Sequence, residues 1–212
     1  MTAIRSSIFA AAVAVAAVSA LSGCTDNGGS SASPDSTTQP SPRSVATRPT
    51  LTNSKLQPPS QHDVHMTSGR PAIVFDPCTW ISDDTVRKSG FDPSTRKRGH
   101  DQIAEISFLT CSFDSNSGSS INYNSLLVNS GNATWDEDLT KVRSYSEPVT
   151  INGREAMWVR DPQVQSMCQI DLRTKVGFAQ VAVSSNDPQV TRPCENLLNI
   201  ASNIESEIGK DN

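Results

Sequence analysis

The sequence is poor in the side chains that most often perform chemistry, and it has no surplus of basic charge. Only three of the 212 residues are histidine, and 18 basic side chains stand against 22 acidic ones. A nucleic-acid-binding protein would show a basic face or stripe, so this composition argues against that class. The chain also lacks the nucleophile-elbow, phosphate-loop, zinc-protease, EF-hand and dinucleotide-binding glycine motifs. The sequence therefore indicates no enzyme class, no metal and no cofactor.

Aromatic residues are almost absent from the first third of the chain, where Phe9 stands alone before residue 71. Residues 24–70 are mostly Ser, Thr, Pro, Gln and Asn, which cannot bury enough apolar area to offset the entropy of ordering. We predict a disordered tether over 24–70 and one folded domain over 71–212. His62 and His65 fall in this tether without further ligands nearby, so we interpret them as polar tether residues rather than half of a metal site.

The first 23 residues have the features of a secretory signal. Arg5 is followed by an apolar run that ends in Leu21-Ser22-Gly23-Cys24. The run is too short to span a bilayer, and small residues lead up to the cysteine. This arrangement resembles a bacterial lipoprotein signal. It predicts a signal peptide over 1–23, lipid attachment at Cys24, and a protein held on the outer side of the cell membrane.

The remaining cysteines are Cys78, Cys111, Cys168 and Cys194. An even number of cysteines outside the cytosol predicts two disulfides. A four-cysteine zinc site is the alternative, but its ligands normally come in closely spaced pairs. Three pairings are open. We favour 78 with 111 and 168 with 194, because each of these bonds would join neighbouring elements.

Three helices are predicted from their start and stop signals. Ser82 is a good N-cap for a helix that stops near Gly90, and Thr134 with Glu137 forms a capping box for a second helix. A third helix is expected from about Thr191, with one apolar stripe that includes Leu197 and Leu198.

Strands are predicted over 106–113, 121–128, 168–172 and 176–183, where apolar and polar residues alternate or apolar residues cluster. Asn152-Gly153 between two apolar runs is a strong hairpin signal that adds two more strands. The fold class is therefore α+β, with a mainly antiparallel sheet of about six strands, three helices packed against it and two disulfides.

Two charged clusters have open interpretations. Arg96-Lys97-Arg98-Gly99-His100 could contact anionic headgroups or an acidic partner, although a solvated loop is favoured. Asp136-Glu137-Asp138 could offer paired carboxylates to a metal or a sugar, although helix capping explains these residues better. Ser94 and Lys97 fit an S-x-x-K motif that lacks its companion motifs, so we assign it no catalytic role.

The three tryptophans, Trp80, Trp135 and Trp158, could line a ligand groove. Tryptophan at a helix start or in a strand usually belongs to a core, and we favour that interpretation.

The cysteines and their flanking residues resemble those of a known family. The matching segments are Phe75-Asp76-Pro77-Cys78, Cys111 with Phe113, Gly153-Arg154-Glu155-Ala156, Cys168 and Pro193-Cys194. Together they resemble an actinobacterial lipoprotein family known only as a domain of unknown function, over about 78–208. The resemblance implies an envelope lipoprotein with two disulfides and an α+β domain, and it supplies no catalytic residues.

We therefore expect a lipid-anchored cell-envelope protein that acts as a non-catalytic binding or accessory module. Its expected partners are the membrane, through Cys24, and an envelope protein or a small ligand. Two alternatives stay open: a hydrolase or transferase acting on the cell wall, and a subunit of an envelope transport or secretion complex.

Overall fold

The computed structural model describes residues 51–116, 123–187, 189 and 194–212. Within these residues, seven strands form one antiparallel sheet with the order β1-β2-β3-β7-β6-β5-β4. The strands are Lys97–Arg98 (β1), Phe108–Asp114 (β2), Ser125–Gly131 (β3), Ser146–Ile151 (β4), Arg154–Val159 (β5), Met167–Arg173 (β6) and Phe178–Ser184 (β7). The α+β class is confirmed. The strand missing from the prediction is β1, which at two residues is too short to show a period-2 pattern.

Five α-helices in the described ranges accompany the sheet. They are His62–Ser68 (α1), Pro77–Trp80 (α2), Asp83–Lys88 (α3), Trp135–Val142 (α4) and Leu197–Ile208 (α5). Short 3-10 helices cover Ser54–Leu56, Pro93–Thr95 and Arg143–Tyr145. The predicted caps of α3 and α4 are confirmed, because Ser82 accepts from the Thr85 N–H and the full capping box forms at Thr134 and Glu137.

The sheet buries residues on both faces. On the first face, alternate residues of β6 and β7, such as Ile170 and Val181, pack against α2, α3 and α5 in the larger core. On the second face, Met157 and Phe178 pack with Trp135 of α4 in a smaller core. The strands we expected to have a solvated face are therefore partly covered on that face by a short helix.

The hairpin between β4 and β5 turns at Asn152 and Gly153, whose φ angles are 51° and 87°. Both residues thus have the positive φ that this turn type requires. The predicted hairpin is confirmed.

Helix α5 begins later than predicted. It starts at Leu197 after Asn196, whose φ of 61° is left-handed. Residues 191–193, including Pro193, lie outside the described residues. Leu198 is 44% exposed and does not belong to the apolar stripe, because it lies one position round the helix from Leu197, which is fully buried.

The predicted tether is wrong over residues 51–70. This stretch contains a 3-10 helix and α1, and Leu56 is buried in the larger core. The Gln61 side chain exchanges two hydrogen bonds, of 2.9 and 3.1 Å, with the backbone of Ile73. The polar composition of this stretch predicts disorder when the stretch is considered alone. It is ordered because residues outside it, such as Ile73 and those of the larger core, provide its hydrogen bonds and apolar contacts. Residues 24–50 lie outside the described residues.

The disulfides join Cys78 to Cys111 and Cys168 to Cys194. The Cα–Cα separations are 5.0 and 5.2 Å, within the ordinary range for this bond. The first bond fastens α2 to β2, and the second fastens β6 to the segment before α5. This is the pairing that the sequence favoured.

Candidate functional site

The basic cluster that the sequence singled out is largely internal. The side chain of Arg96 is only 3% exposed, and its guanidinium lies 2.7 Å from Asp83 Oδ1 and 4.9 Å from the centre of the Phe113 ring. It also donates to the carbonyl oxygen of Cys78. Arg96 therefore ties α2 and α3 to the sheet.

Arg98 is also buried, at 11% side-chain exposure. Its guanidinium donates to both oxygens of Asp76, at 2.8 and 2.7 Å, and to Asp101 at 3.1 Å. It also donates to the Leu56 carbonyl, so it holds the 51–70 segment. Neither the contact loop nor the solvated loop describes these two arginines, because both side chains are buried against acidic partners inside the domain. Lys97 and His100 alone keep the expected exposure.

The three residues of the acidic cluster at 136–138 have different environments and different roles. Asp136 is exposed, and Glu137 completes the capping box and binds Arg70 through two hydrogen bonds of 2.9 and 2.8 Å. The hydrogen bonds from Arg70 and Thr134 lower the pKa of Glu137 to about 2. Capping thus explains Glu137, as predicted. It does not explain Asp138, which is only 7% exposed.

Asp138 forms a carboxyl pair with Asp171, a fully buried residue of β6. Burial raises the pKa of Asp171 well above its usual value, and the charge of Asp138 raises it further. Asp138 accepts no hydrogen bond from an N–H or hydroxyl group among the described residues, so the Asp171 proton is its nearest donor. Burial raises the pKa of Asp138 as well, so a proton on Asp171 that is directed at Asp138 relieves the repulsion between the two carboxyls.

A row of three polar residues in register across adjacent strands ends at Asp171, one member of this pair. Asn129 of β3 lies opposite Gln180 of β7, and Gln180 lies opposite Asp171 of β6. Gln180 hydrogen-bonds Asp171, and its Oε1 accepts from Asn129 Nδ2 at 2.6 Å. Gln169 Nε2 donates to both oxygens of Asp171, at 2.9 Å each. This chain of bonds fixes the amide orientations and leaves Asn129 Oδ1 buried with no partner among the described residues.

A cavity of about 390 Å³ lies over this polar row. Its polar lining includes Asn129, Asp138, Gln169 and Gln180. Its apolar and aromatic lining includes Phe108, Tyr145, Val159, Met167 and Phe178. The rings of Phe108 and Phe178 meet edge to face with centroids 6.1 Å apart. The exposed residues His100 and Lys141 also line the cavity. An apolar wall with a few convergent polar groups is typical of small-molecule sites.

Sequence reasoning missed this site for an identifiable reason. Gln169 and Asp171 alternate with buried residues of β6, so their pattern indicated a solvated face. Asn129, Gln180 and Asp138 are brought together by the pairing of β7 with both β3 and β6, and by the position of α4 over these strands. His100 lines the cavity. The sequence singled it out only as a member of the basic cluster, which did not indicate this site.

The other predicted candidates lie elsewhere. Trp135 packs in the smaller core, while Trp80 and Trp158 pack against the larger one, which agrees with the core interpretation. Ser94 lies in the 3-10 turn after Asp92, which accepts from its N–H at 2.8 Å. Cys24 lies outside the described residues.

The described part of the chain shows neither a metal-binding cluster nor a membrane-crossing helix. No three His, Cys, Asp or Glu side chains in the described ranges converge as ligands. No helix there is long and apolar enough to cross a bilayer.

These features define a class of protein: a disulfide-bonded α+β domain with an acidic, aromatic-walled cavity on one face of its sheet. A family model described as "Protein of unknown function (DUF3558)" matches residues 19–207. The chain therefore belongs to that family, which fits the resemblance seen in its cysteine motifs. No curated protein and no solved structure matches it.

The carboxyl pair predicts an unusual pH dependence of stability. Because the folded-state pKa of Asp171 lies above its usual value near 3.8, the folded protein binds more protons than the unfolded chain above that pH. The free energy of unfolding should then fall as pH rises from about 4, by at most about 1.4 kcal/mol per pH unit for this one proton.

Asp171→Asn should remove this decline, since the amide still donates to Asp138 and does not ionise. Urea denaturation of both proteins between pH 4 and 8 measures the difference. Parallel curves for the two proteins would show that Asp171 does not hold the extra proton.

Proposed function

We propose that the protein is a lipid-anchored lipoprotein of the cell envelope whose domain binds a small ligand in the cavity over the Asp138–Asp171 pair, without chemistry of its own. The signal-like residues up to Cys24 support the location and the anchor, with signal peptide 1–23 removed. The observation that carries the binding role is the cavity itself, in which apolar walls surround a polar row with unsatisfied oxygens.

The carboxyl pair is also the feature that a cell-wall hydrolase or transferase would use. Two carboxyls that share a proton can serve as acid and base in catalysis. Asp171, however, is fully buried and accepts from Gln169 at both oxygens. A group held in this way cannot touch a substrate, so a catalytic role would fall on Asp138 alone, and we favour binding.

The alternative role is that of a subunit of an envelope complex. The contact surface that the sequence suggested for it, the basic cluster at 96–98, is largely buried. Arg96 and Arg98 are engaged inside the domain, at 2.7 Å from Asp83 and Asp76 respectively. No other described surface favours this role over ligand binding.

The test is recovery of a ligand from the native protein. The protein is purified in detergent from membranes of its own host, and small molecules released on denaturation are identified by mass spectrometry. Val164→Trp adds bulk to a half-exposed residue of the cavity lining and should abolish recovery. Val74→Trp, at an exposed valine outside that lining, is the matched control and should retain the ligand.

The same preparation tests the anchor, because Cys24→Ala should release the protein from the membrane fraction. Equal recovery from the Val164→Trp and Val74→Trp variants would contradict binding in this cavity. Retention of Cys24→Ala in membranes would contradict the lipid anchor.

A further inference from the structure

We propose that the cavity selects an organic cation, a small molecule with an ammonium group and an apolar body, whose charge is placed against Asp138. This inference rests on the proposed binding function and names the class of ligand. It follows from the direction of the hydrogen bonds around the polar row, from the composition of the walls and from the charge left in the cavity.

The hydrogen-bond chain ends on acceptors. Asp171 takes N–H groups from Gln169 and Gln180, so Gln180 must turn its oxygen toward Asn129. Asn129 must then present its nitrogen to Gln180, and its Oδ1 is left with no donor in the part of the chain that the structure describes. Rotating the Gln180 amide would break its bond to Asp171, and rotating the Asn129 amide would set its oxygen against the oxygen of Gln180. The unsatisfied atom at the Asn129 end of the row is therefore an oxygen.

The other end of the row is an oxygen as well. Asp138 is 93% buried, yet none of the N–H or hydroxyl groups in the described ranges donates to it, and its buried Oδ2 has no such partner. A carboxylate can accept about four hydrogen bonds, so a buried one with so few is costly unless a ligand supplies donors. Both ends therefore lack a hydrogen-bond donor, and at Asp138 a donor with positive charge also meets the carboxylate, whereas an anion or a pure acceptor supplies neither.

The walls suit an organic cation better than a bare metal ion. Phe108, Phe178 and Tyr145 line the cavity, and aromatic rings pack against an apolar body and attract a cation through their faces. A metal ion would need several free oxygen ligands, and both oxygens of Asp171 already accept from Gln169. At about 390 Å³ the cavity is near the lower end of the usual range of roughly 300–1,000 Å³, which limits the ligand to a small molecule.

The side chain of Lys141 is a cation of the protein itself that competes with a cationic ligand for the place beside Asp138. It lies one helical turn from Asp138 on α4, lines the cavity and is exposed, and its positive charge acts on the Asp138 carboxyl. Its charge disfavours a cationic ligand near Asp138. Removing it should therefore strengthen binding, which is the opposite of the effect expected at Asp138.

The test uses the purified full chain in detergent and isothermal titration calorimetry with two pairs of probes. Phenethylamine is compared with 2-phenylethanol, and choline with its neutral carbon analogue 3,3-dimethyl-1-butanol. At least one cation should bind about tenfold or more tightly than its neutral partner, since a charge-assisted hydrogen bond or a cation–π contact is lost in the alcohol. Equal binding within both pairs, or no binding by either cation, would overturn the proposal.

Three variants locate the effect. Asp138→Asn should weaken binding of the cation about tenfold or more, whereas Asp136→Asn, the same change at an exposed position of α4, should leave it unchanged. Lys141→Met should strengthen binding of the cation and leave the alcohol unaffected. If Asp138→Asn does not fold, the Lys141→Met variant tests the proposal alone. Weaker or unchanged binding of the cation by Lys141→Met would contradict a negative charge at Asp138.

Other outcomes separate the inference from the function on which it rests. Heat on titration with CaCl₂ that disappears in Asp138→Asn would replace the organic cation by a metal ion and overturn the proposal. A neutral or anionic ligand recovered from the native protein and lost in Val164→Trp would refute the cation while leaving the binding function intact. Recovery that is indifferent to Val164→Trp would refute the binding site itself.

Discussion

Replacing Arg98 with methionine is expected to lower the free energy of unfolding by about 3–5 kcal/mol, because a buried charge network would lose its cation. Asp76 and Asp101 have side chains only 6% and 9% exposed, and Arg98 binds both. Methionine keeps most of the length of the side chain, so the effect reports mainly the loss of charge and hydrogen bonds. Two buried carboxylates would be left with neutral donors alone, from Thr79 for Asp76 and from the Thr110 N–H for Asp101.

The measurement is urea denaturation at pH 7 with the disulfides oxidised. Lys97→Met is the control, since Lys97 is the exposed neighbour of Arg98 on β1 and should change stability by less than about 0.5 kcal/mol. Arg98→Met should also release the 51–70 segment, because Arg98 donates to the Leu56 carbonyl. Limited proteolysis should then cut within that segment sooner than in the control. A loss below about 1 kcal/mol would mean that Arg98 is not the centre of this network.

Removing the bond between Cys78 and Cys111 with two alanines should destabilise the domain by about 3–4 kcal/mol or more. A chain-entropy model gives about this value for a closed loop with a sequence separation of 33 residues. Both half-cystines are fully buried in the larger core, so lost packing adds to the effect. Alanine is chosen because serine would place two hydroxyl groups in that core.

The bond between Cys168 and Cys194 provides the comparison. Its loop has a separation of 26 residues and Cys194 is only partly buried, so its double alanine variant should lose somewhat less stability. Cys24→Ala is the control for the substitution itself and should leave the stability of the domain unchanged. Thermal unfolding followed by circular dichroism gives all three values. A Cys78→Ala/Cys111→Ala domain as stable as the Cys24→Ala protein would contradict the role of the bond.

The proposed site depends on α4, which is short and covers only part of the second face. Trp135 anchors its first turn in the smaller core and donates to Glu155 of β5 at 3.1 Å. Arg70, from the segment before the domain we predicted, binds Glu137 in the same turn. The end of the N-terminal segment thus supports the helix that carries Asp138, and correcting the domain boundary affects the site as well as the fold.

What could be predicted from the sequence was local. The cap at Ser82, the capping box at Thr134 and the turn at Asn152-Gly153 each depend on residues a few positions apart, and all three are present. The disulfide pairing was also favoured, because each bond joins elements that are close in the chain. The α+β class followed from the order of these elements and the short connections between the later strands.

What only the tertiary structure decided was which polar residues meet. Asn129, Gln180 and Asp171 share a row because β7 lies between β3 and β6, an arrangement that no local pattern indicates. Arg96 and Arg98 looked like surface charges because their partners Asp83 and Asp76 belong to other elements. Local signals come from hydrogen bonds between near neighbours, whereas burial of a charge depends on the long-range packing that surrounds it. For this protein the sequence determined the helix caps, the hairpin turn and the disulfide pairing, and the register of the sheet determined the acidic cavity.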